Sequence, residues 1–334
     1  MAGDILAVPD HIRDALWRVE TAAIAPVDSP SGLIVAGMGG SAAGGMLAET
    51  ILGDRSRRPI ALSRGYMLPS WTSADTTVLC SSYSGNTEET LAAYDAAGVI
   101  GANRIVATSG GTIADLARAD GVPVIPLPGV LQPRCAIGYM VVAALEAAAL
   151  CGVADQIHTE IDVAAAHLEP LMAELGPDGP DGGEARTLAR ALQGRIPIIV
   201  GADATASVAY RWKTQINENP ELPCWAAELP EADHNEIVGW AGAADLGKFA
   251  VVMLGDSDSH PRERERLDIT AELVEKAGIP VFRAESKGET RIERIMSLVA
   301  LGDWVSFYLA IQQGIDPTPV EPISLLKARL AASV

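Results

Sequence analysis

The segment CSSYSGNTEET, residues 80–90, places several small hydrogen-bonding residues between an apolar run and a helix-like run. Ser82, Ser84 and Thr87 each offer a neutral hydroxyl donor, and Gly85 allows a tight turn and a close approach of the backbone to a ligand. The free N–H groups and the dipole of a helix start add partial positive charge at the same place. Ordinary N-capping is the alternative, but a cap needs only one such residue. We therefore predict a phosphate site that requires no lysine.

A second glycine-rich turn, GMGGSAAGG, spans residues 37–45. It lacks the GxGxxG spacing of dinucleotide sites and the GxxxxGK[ST] lysine of nucleotide-triphosphate sites, so neither ligand is supported. We expect Gly39, Gly40 and Ser41 to let a sugar chain approach the backbone. The alternative is that these glycines only allow a helix to pack closely on a strand.

Three further residues have the chemistry of proton transfer and charge stabilisation. Glu218 stands at the predicted end of a helix, where the dipole would raise its pKa and suit a general base. His234 lies in the polar turn EADHNE, and an imidazole titrates near neutrality. Arg134 stands at a helix start, where a cation opposes the dipole and an anionic partner would compensate. Each could instead be an ordinary surface residue: a solvated helix end, a turn histidine, or one member of an ion pair.

Strand-like apolar runs alternate with helical runs, which predicts an α/β fold with parallel sheets flanked by helices. The strand-like runs of the first half are Gly32–Ala36, Thr77–Ser81, Arg104–Ala107 and Val122–Ile125. The helical runs are Ala42–Leu52, Glu88–Ala97, Ile113–Ala119 and Ala136–Leu150. From these runs and the Gly/Pro-rich loop at 176–184 we predict an N-terminal subdomain at 1–152, a connecting helix and loop at 153–186, and a C-terminal subdomain at 187–334.

The second half repeats the theme of the first, which suggests a tandem duplication. The segments 196–215, 250–266 and 278–286 echo 32–49, 76–91 and 103–111, in that order. Asp256 and Asp258 stand where the first half has Ser82 and Ser84, and two carboxylates would repel an anion. The oxyanion site is therefore expected in the first half.

Composition excludes several classes of protein. The 334 residues carry a net charge of −18, so binding of nucleic acid is not expected. The acidic N-terminus does not resemble a signal peptide, and no apolar run of membrane length is expected, the best candidate being Met140–Cys151. The four cysteines have no metal-ligand spacing, and the five histidines form no ligand set, so we predict reduced, packed thiols in a cytoplasmic protein without a metal.

Together these motifs carry a resemblance. GMGGSAAGG, SSYSGNTEET and ATSGG resemble the SIS (sugar isomerase) fold. NENP at 217–220, DHNEIVGW at 233–240 and GIDPTPVEPISLLK at 314–327 narrow it, so that the whole chain resembles the bifunctional phosphoglucose/phosphomannose isomerases of that superfamily. The resemblance implies two αβα SIS subdomains and a cofactor-free isomerase of carbohydrate metabolism, with roles in glycolysis and gluconeogenesis. Its substrates would be glucose 6-phosphate and mannose 6-phosphate, both converted to fructose 6-phosphate through a cis-enediolate.

The resemblance also implies roles for single residues. Glu218 would move the proton between C2 and C1, and Arg134 would stabilise the enediolate. His234 would open the sugar ring from the neighbouring subunit, which implies a homodimer. Thr318 matches a Thr near the C-terminus that in the family leaves room for both C2 epimers, and Lys327 matches a Lys nearby, so that both would contact substrate. The alternative for Lys327 is an exposed residue of the last helix. The alternatives are a phosphosugar sensor without catalysis, an isomerase for another sugar phosphate, and a dimeric scaffold protein.

Overall fold

A computed structural model describes residues 1–332 of the chain. These residues form two compact units. The first consists of Gly3–Glu174 and Ser286–Ala300, and the second of Met1–Ala2, Leu175–Glu285 and the chain from Leu301 onward. These divisions differ from the predicted boundaries at 152 and 186. One reason is that the predicted connecting helix is tied to the first unit through His158, which pairs with the buried Glu146 at 2.8 Å.

Among the described residues, the first unit contains a parallel five-stranded sheet in the order β2-β1-β3-β4-β5. The strands are β1 (Leu33–Ala36), β2 (Ile60–Ser63), β3 (Thr77–Ser81), β4 (Asn103–Thr108) and β5 (Val124–Pro126). The helices are α1 (Ala2–Leu6), α2 (Val8–Ala22), α3 (Gly39–Leu52), α4 (Glu88–Ile100), α5 (Gly111–Asp120), α6 (Ile137–Leu150) and α7 (His158–Leu175). The sequence predicted four of these strands and missed β2.

Helices cover both faces of this sheet, and the central strands are therefore apolar at nearly every position. All residues of β1 and β3 are buried, as expected for parallel strands that are covered on both sides. Ile34, Val78 and Val106 pack against Ala93 and Ala97 of α4 in one continuous cluster. Burial of these aliphatic side chains stabilises the sheet that carries the loops described below.

The described part of the second unit contains a parallel four-stranded sheet in the order β7-β6-β8-β9. Its strands are β6 (Ile196–Ala202), β7 (Trp225–Leu229), β8 (Phe249–Gly255) and β9 (Val281–Glu285). Its helices are α8 (Glu184–Leu192), α9 (Ala204–Glu218), α10 (Glu236–Gly239), α11 (Ala243–Leu246), α12 (Pro261–Lys276) and α14 (Glu321–Ala331). This order matches β2-β1-β3-β4 of the first sheet, with α9 following β6 as α3 follows β1, which is the arrangement that a tandem duplication predicts.

Helix α13 (Arg291–Gln313) is the longest of the described helices, and it begins in the first unit and ends in the second. It corrects the expectation that no apolar run reaches membrane length. Within residues 1–332 it alone is long and apolar enough to cross a membrane by length and composition, and 83% of its most apolar stretch is buried inside the protein. A largely buried apolar helix of this kind is typical of a protein core.

The four cysteines all lie within the described residues and are free and buried. Burial raises the pKa of Cys80 and of Cys224 to about 12 and that of Cys151 to about 11. A thiol that stays protonated in this way packs as a small apolar residue, as the sequence predicted.

Candidate functional site

The hydroxyl-rich segment lies at the carboxyl edge of the first sheet. In the parallel register Ala36 pairs with Cys80, Ser81 with Ala107, and Thr108 with Pro126. Because these strands end side by side, the loops that follow β1, β3, β4 and β5 all emerge at one edge. Ligands of open parallel sheets are characteristically bound at this edge.

The hydroxyl groups of the loop after β3 lie close together. The hydroxyl oxygens of Ser82 and Thr87 are 2.9 Å apart, and Ser82 Oγ also accepts a hydrogen bond from the Gly85 N–H at 3.1 Å. Thr87 is the N-cap residue of α4, but in the described structure its side chain makes no capping hydrogen bond. Capping therefore does not account for Thr87. Ser84 is exposed, and its hydroxyl accepts a hydrogen bond from the backbone N–H of Asn86 at 3.3 Å.

The loops after β3 and β4 interlock through glycines. Gly85 and Gly111 have φ values of +70° and +75°, which only glycine adopts easily. A Cβ on Gly85 would lie 1.7 Å from the carbonyl oxygen of Gly110. The side-chain oxygen of Asn86 accepts hydrogen bonds from both the N–H and the hydroxyl of Thr112, each at 2.9 Å. The ATSGG motif thus packs against the hydroxyl loop and supports it.

Arg134 lies at the same edge, in a 3-10 turn formed by Pro133–Cys135. Its side chain is buried, with 3% of the residue exposed. The start of α3 packs against this turn, because a Cβ on Gly40 would lie 3.0 Å from the Pro133 carbonyl oxygen. Gly40 therefore has a packing role, which is the alternative to contact with a sugar. Contact of Gly40 or the buried Ser41 with a sugar remains a prediction.

Glu218 is the last residue of α9 and is half-buried. The asparagines on either side of it hold this helix end in place. Asn217 donates a hydrogen bond to the Leu222 carbonyl at 2.8 Å, and the fully buried Asn219 donates to the Ser306 hydroxyl of α13 at 2.9 Å. The NEN motif thus places one carboxylate between two structural anchors, which fix the backbone position of Glu218 from both sides.

His234 ends a 3-10 turn of residues 231–234 that follows β7, and it is exposed. The carboxylate of Asp233 ties this turn to α12, since it accepts a hydrogen bond from the Thr270 hydroxyl at 2.9 Å and lies 3.4 Å from Arg266. Asn235 accepts a hydrogen bond from the Glu236 N–H at 2.6 Å and so begins α10. Asp233 therefore anchors the turn to α12, while Asn235 caps the helix that follows it.

The remaining predicted site residues lie in the second unit. The backbone N–H of Thr318 donates to Asp316 at 2.9 Å in the turn before α14, and Lys327 is exposed on α14.

In the loop after β8, Asp256 is buried, with 3% of the residue exposed. Within residues 1–332 no group of three or more His, Cys, Asp or Glu residues is placed to hold a metal ion.

The two units carry different chemical groups. The first unit gathers hydroxyls, backbone N–H groups and one guanidinium at the carboxyl edge of its sheet, which are the groups that bind an oxyanion. They come from Gly40, Ser41, Ser82, Ser84, Thr87 and Arg134. The second unit carries the predicted site residues that have titratable side chains. They are Glu218, His234 and Lys327, with Thr318 near Lys327 in sequence.

The chain is similar to known proteins over most of its length. Residues 182–330 match the family model described as the bacterial phospho-glucose isomerase C-terminal SIS domain. The chain is 40% identical over 302 residues to a bifunctional phosphoglucose/phosphomannose isomerase of Caldicellulosiruptor bescii, covering 90% of this chain and 89% of the relative. It is 35% identical over 300 residues to the protein of that name from Aquifex aeolicus, covering 90% of each.

A solved structure supports the fold independently of sequence. A hypothetical protein from Thermus thermophilus superimposes with a TM-score of 0.77 at 13% identity, covering 98% of this chain and 89% of that one. At so low an identity the likeness concerns the fold alone. The predicted fold class, an α/β protein with two parallel sheets flanked by helices, is confirmed.

Proposed function

This chain belongs to the family of bifunctional phosphoglucose/phosphomannose isomerases, and we propose on that basis that it converts both glucose 6-phosphate and mannose 6-phosphate to fructose 6-phosphate. It is a sugar-phosphate isomerase of the aldose–ketose type. The observation that carries the proposal is 40% identity to such a relative over 90% of the chain. The hydroxyl loop after β3 supplies the physical counterpart, since a hexose 6-phosphate must be held by its dianionic phosphate.

The phosphate is bound by Ser82, Ser84 and Thr87 together with the free N–H groups at the start of α4. These donors are neutral, so they attract the anion through oriented dipoles rather than through net charge. This suits a chain whose net charge is −18. Gly40 and Ser41, at the start of α3 on the same edge, contact the sugar.

The chemistry is a proton transfer between neighbouring carbons. His234 opens the sugar ring, Glu218 takes the proton from C2 and returns it to C1, and Arg134 stabilises the negative charge of the enediolate. Glucose 6-phosphate and mannose 6-phosphate differ only at C2, so they give one common enediolate. An enzyme that protonates either face of C2 therefore serves both epimers, and Thr318 and Lys327 complete the contacts with substrate.

The finer assignments follow from the family. The protein acts in the cytoplasm as a homodimer in which His234 is donated across the interface, without a cofactor and without binding membranes or nucleic acid. It serves glycolysis and gluconeogenesis. Sedimentation or light scattering of the purified protein tests the dimer, and mixing Glu218→Gln with His234→Ala protein tests the donation. Recovered activity on mixing requires that Glu218 and His234 of one site come from different chains.

The decisive experiment supplies each hexose 6-phosphate to the purified protein in the presence of EDTA and measures fructose 6-phosphate. We expect turnover of both substrates. Glu218→Gln should abolish turnover while leaving substrate binding intact, because amide and carboxylate have the same shape but an amide cannot accept the C2 proton. Glu221→Gln is the matched control, since Glu221 is an exposed carboxylate just beyond the same helix end.

Three results would count against the proposal or a part of it. Near-normal rates in Glu218→Gln would remove Glu218 from the role of base. Binding of hexose 6-phosphates without turnover of any of them, by the unmodified protein, would instead indicate a phosphosugar sensor. Loss of turnover in EDTA, restored by a divalent cation, would show that a metal takes part.

A further inference from the structure

Tyr83 stands between two of the phosphate-binding hydroxyl residues, yet its side chain is directed into the protein. Only 7% of the residue is exposed. Its phenol donates a hydrogen bond to the Pro128 carbonyl at 2.5 Å and accepts one from the Leu131 N–H at 2.8 Å. Its backbone carbonyl accepts from the Ser109 hydroxyl at 2.6 Å and from the Ser109 N–H at 3.1 Å. One residue thus joins the loops after β3, β4 and β5.

The phenol holds a segment that runs over the surface. Within residues 128–131, Val130 is 89% exposed. This segment leads directly into the 3-10 turn of Arg134, which begins only two residues after Leu131. The two hydrogen bonds to the Tyr83 phenol therefore fix the backbone from which Arg134 projects.

The phenol keeps its proton at neutral pH. Burial raises the pKa of Tyr83 above its ordinary value, although the hydrogen bond from Leu131 opposes the shift. The group therefore stays protonated and remains both donor and acceptor, which is what two simultaneous bonds to a carbonyl and an N–H require.

We propose that Tyr83 is a positioning residue, whose phenol sets Arg134 at the correct place relative to the hydroxyls that bind the phosphate. The proposal rests on the function proposed above. It predicts that Tyr83 acts through Arg134 and contributes nothing to catalysis once that guanidinium is gone. It also predicts an effect mainly on kcat, because the phosphate ligands stay in place while the group that stabilises the enediolate becomes mobile.

The test compares two conservative substitutions of buried tyrosines. Tyr83→Phe removes the phenol oxygen that bonds Pro128 and Leu131. Tyr94→Phe is the matched control, because Tyr94 is 1% exposed and its phenol donates to Asp120 at 2.9 Å, outside the loops of the site. We expect Tyr83→Phe to lower kcat by at least about tenfold with KM changed by less than about twofold. The control should keep both constants near those of the unmodified protein.

A double-mutant cycle separates positioning from general weakening of the fold. In the Arg134→Ala background, Tyr83→Phe should cause no further loss of kcat, since the residue through which it acts is absent. Hydrogen exchange provides a second measurement that does not depend on activity. The Leu131 amide should exchange faster in Tyr83→Phe, while the Val122 amide, which donates to the Ala117 carbonyl outside this segment, should not change.

The outcomes distinguish this proposal from the proposed function. If the unmodified protein turns over hexose 6-phosphates but the two substitutions are additive in kcat, Tyr83 does not act through Arg134 and the positioning role is refuted while the isomerase function stands. Unchanged exchange at Leu131 would refute it equally. If the unmodified protein has no isomerase activity, the proposed function itself fails.

Discussion

Substitution of Gly85 by alanine tests whether the interlocked loops build the phosphate site. A Cβ at this position would lie 1.7 Å from the Gly110 carbonyl oxygen, whereas ordinary contacts begin at 3.4 Å. The loops after β3 and β4 would therefore have to separate by about 1.7 Å, the difference between these distances. A movement of this size breaks the two hydrogen bonds that join Asn86 to Thr112 and displaces the hydroxyls of the phosphate loop.

The expected loss of stability has two parts. Alanine in the left-handed region costs about 1–2 kcal/mol relative to glycine. The two broken hydrogen bonds add about 1 kcal/mol each, so Gly85→Ala should lower the free energy of unfolding by about 3–4 kcal/mol. Gly101→Ala is the control, because Gly101 has a φ of +80° and a Cβ there would meet no described atom within 4 Å. Gly101→Ala should lose only the first part, about 1–2 kcal/mol.

Urea unfolding of both variants measures these losses. Calorimetric titration with glucose 6-phosphate, carried out in the Glu218→Gln background so that the substrate is not turned over, measures binding. The difference of about 2 kcal/mol between the variants corresponds to about 30-fold in the folding equilibrium. We expect Gly85→Ala also to weaken binding by at least about tenfold, whereas Gly101→Ala should bind normally. Equal stability in the two variants, with normal binding in both, would show that the clash is relieved without moving the loops and would refute the reasoning.

Two further predictions concern other parts of the structure. Asp233→Ala should free the turn of His234 from Thr270 and lower kcat by about tenfold or more. Glu231→Ala is the control, because it removes only an exposed hydrogen bond from Asn235, and its kcat should stay near that of the unmodified protein. Equal rates in the two variants would exclude anchoring by Asp233. Glu293 lies in the first turn of α13. Burial would raise the pKa of its carboxyl group, but hydrogen bonds from the N–H and hydroxyl of Thr290 and from the N–H of Glu289 lower this pKa below its ordinary value. A depressed carboxyl pKa stabilises the protein above the unfolded value near 4.5, and that stability is lost as the pH falls through the folded pKa. Glu293→Gln should therefore reduce the difference in unfolding free energy between pH 6 and pH 3, and an unchanged difference in urea titrations would contradict this.

The sequence predicted the three central strands of the first sheet and also its edge strand β5, which the apolar run Val122–Ile125 indicated. It missed β2 and β7, and both are edge strands. Three of the four residues of β2 are only half-buried, and β7 exposes Trp225, Ala226 and Glu228. An edge strand is covered less completely than a central one, so its sequence need not be continuously apolar, and the apolar-run criterion does not detect it.

The site was predictable only as far as local sequence determines it. Hydroxyls concentrated before one helix indicated the phosphate loop, because all the donors lie within a few residues of each other. The contact of Gly85 with Gly110 and the bonds of Tyr83 to Pro128 and Leu131 join segments about 25 to 48 residues apart. Such contacts depend on which loops meet at the sheet edge, and no periodicity in the chain encodes that. Tyr83 lies inside the SSYSGNTEET motif, but nothing in the local sequence indicates that its phenol bonds to Pro128 and Leu131.

The path of α13 constrains how this protein is made. Residues 286–300 complete a unit that otherwise consists of residues 3–174, so a nascent chain cannot finish its N-terminal body until residue 300 has left the ribosome. While residues 175–300 are being synthesised, the first unit on the ribosome is incomplete because it lacks residues 286–300. Cleavage within the glycine- and proline-rich loop at 176–184 would accordingly release an N-terminal fragment without its last piece, rather than a self-sufficient domain.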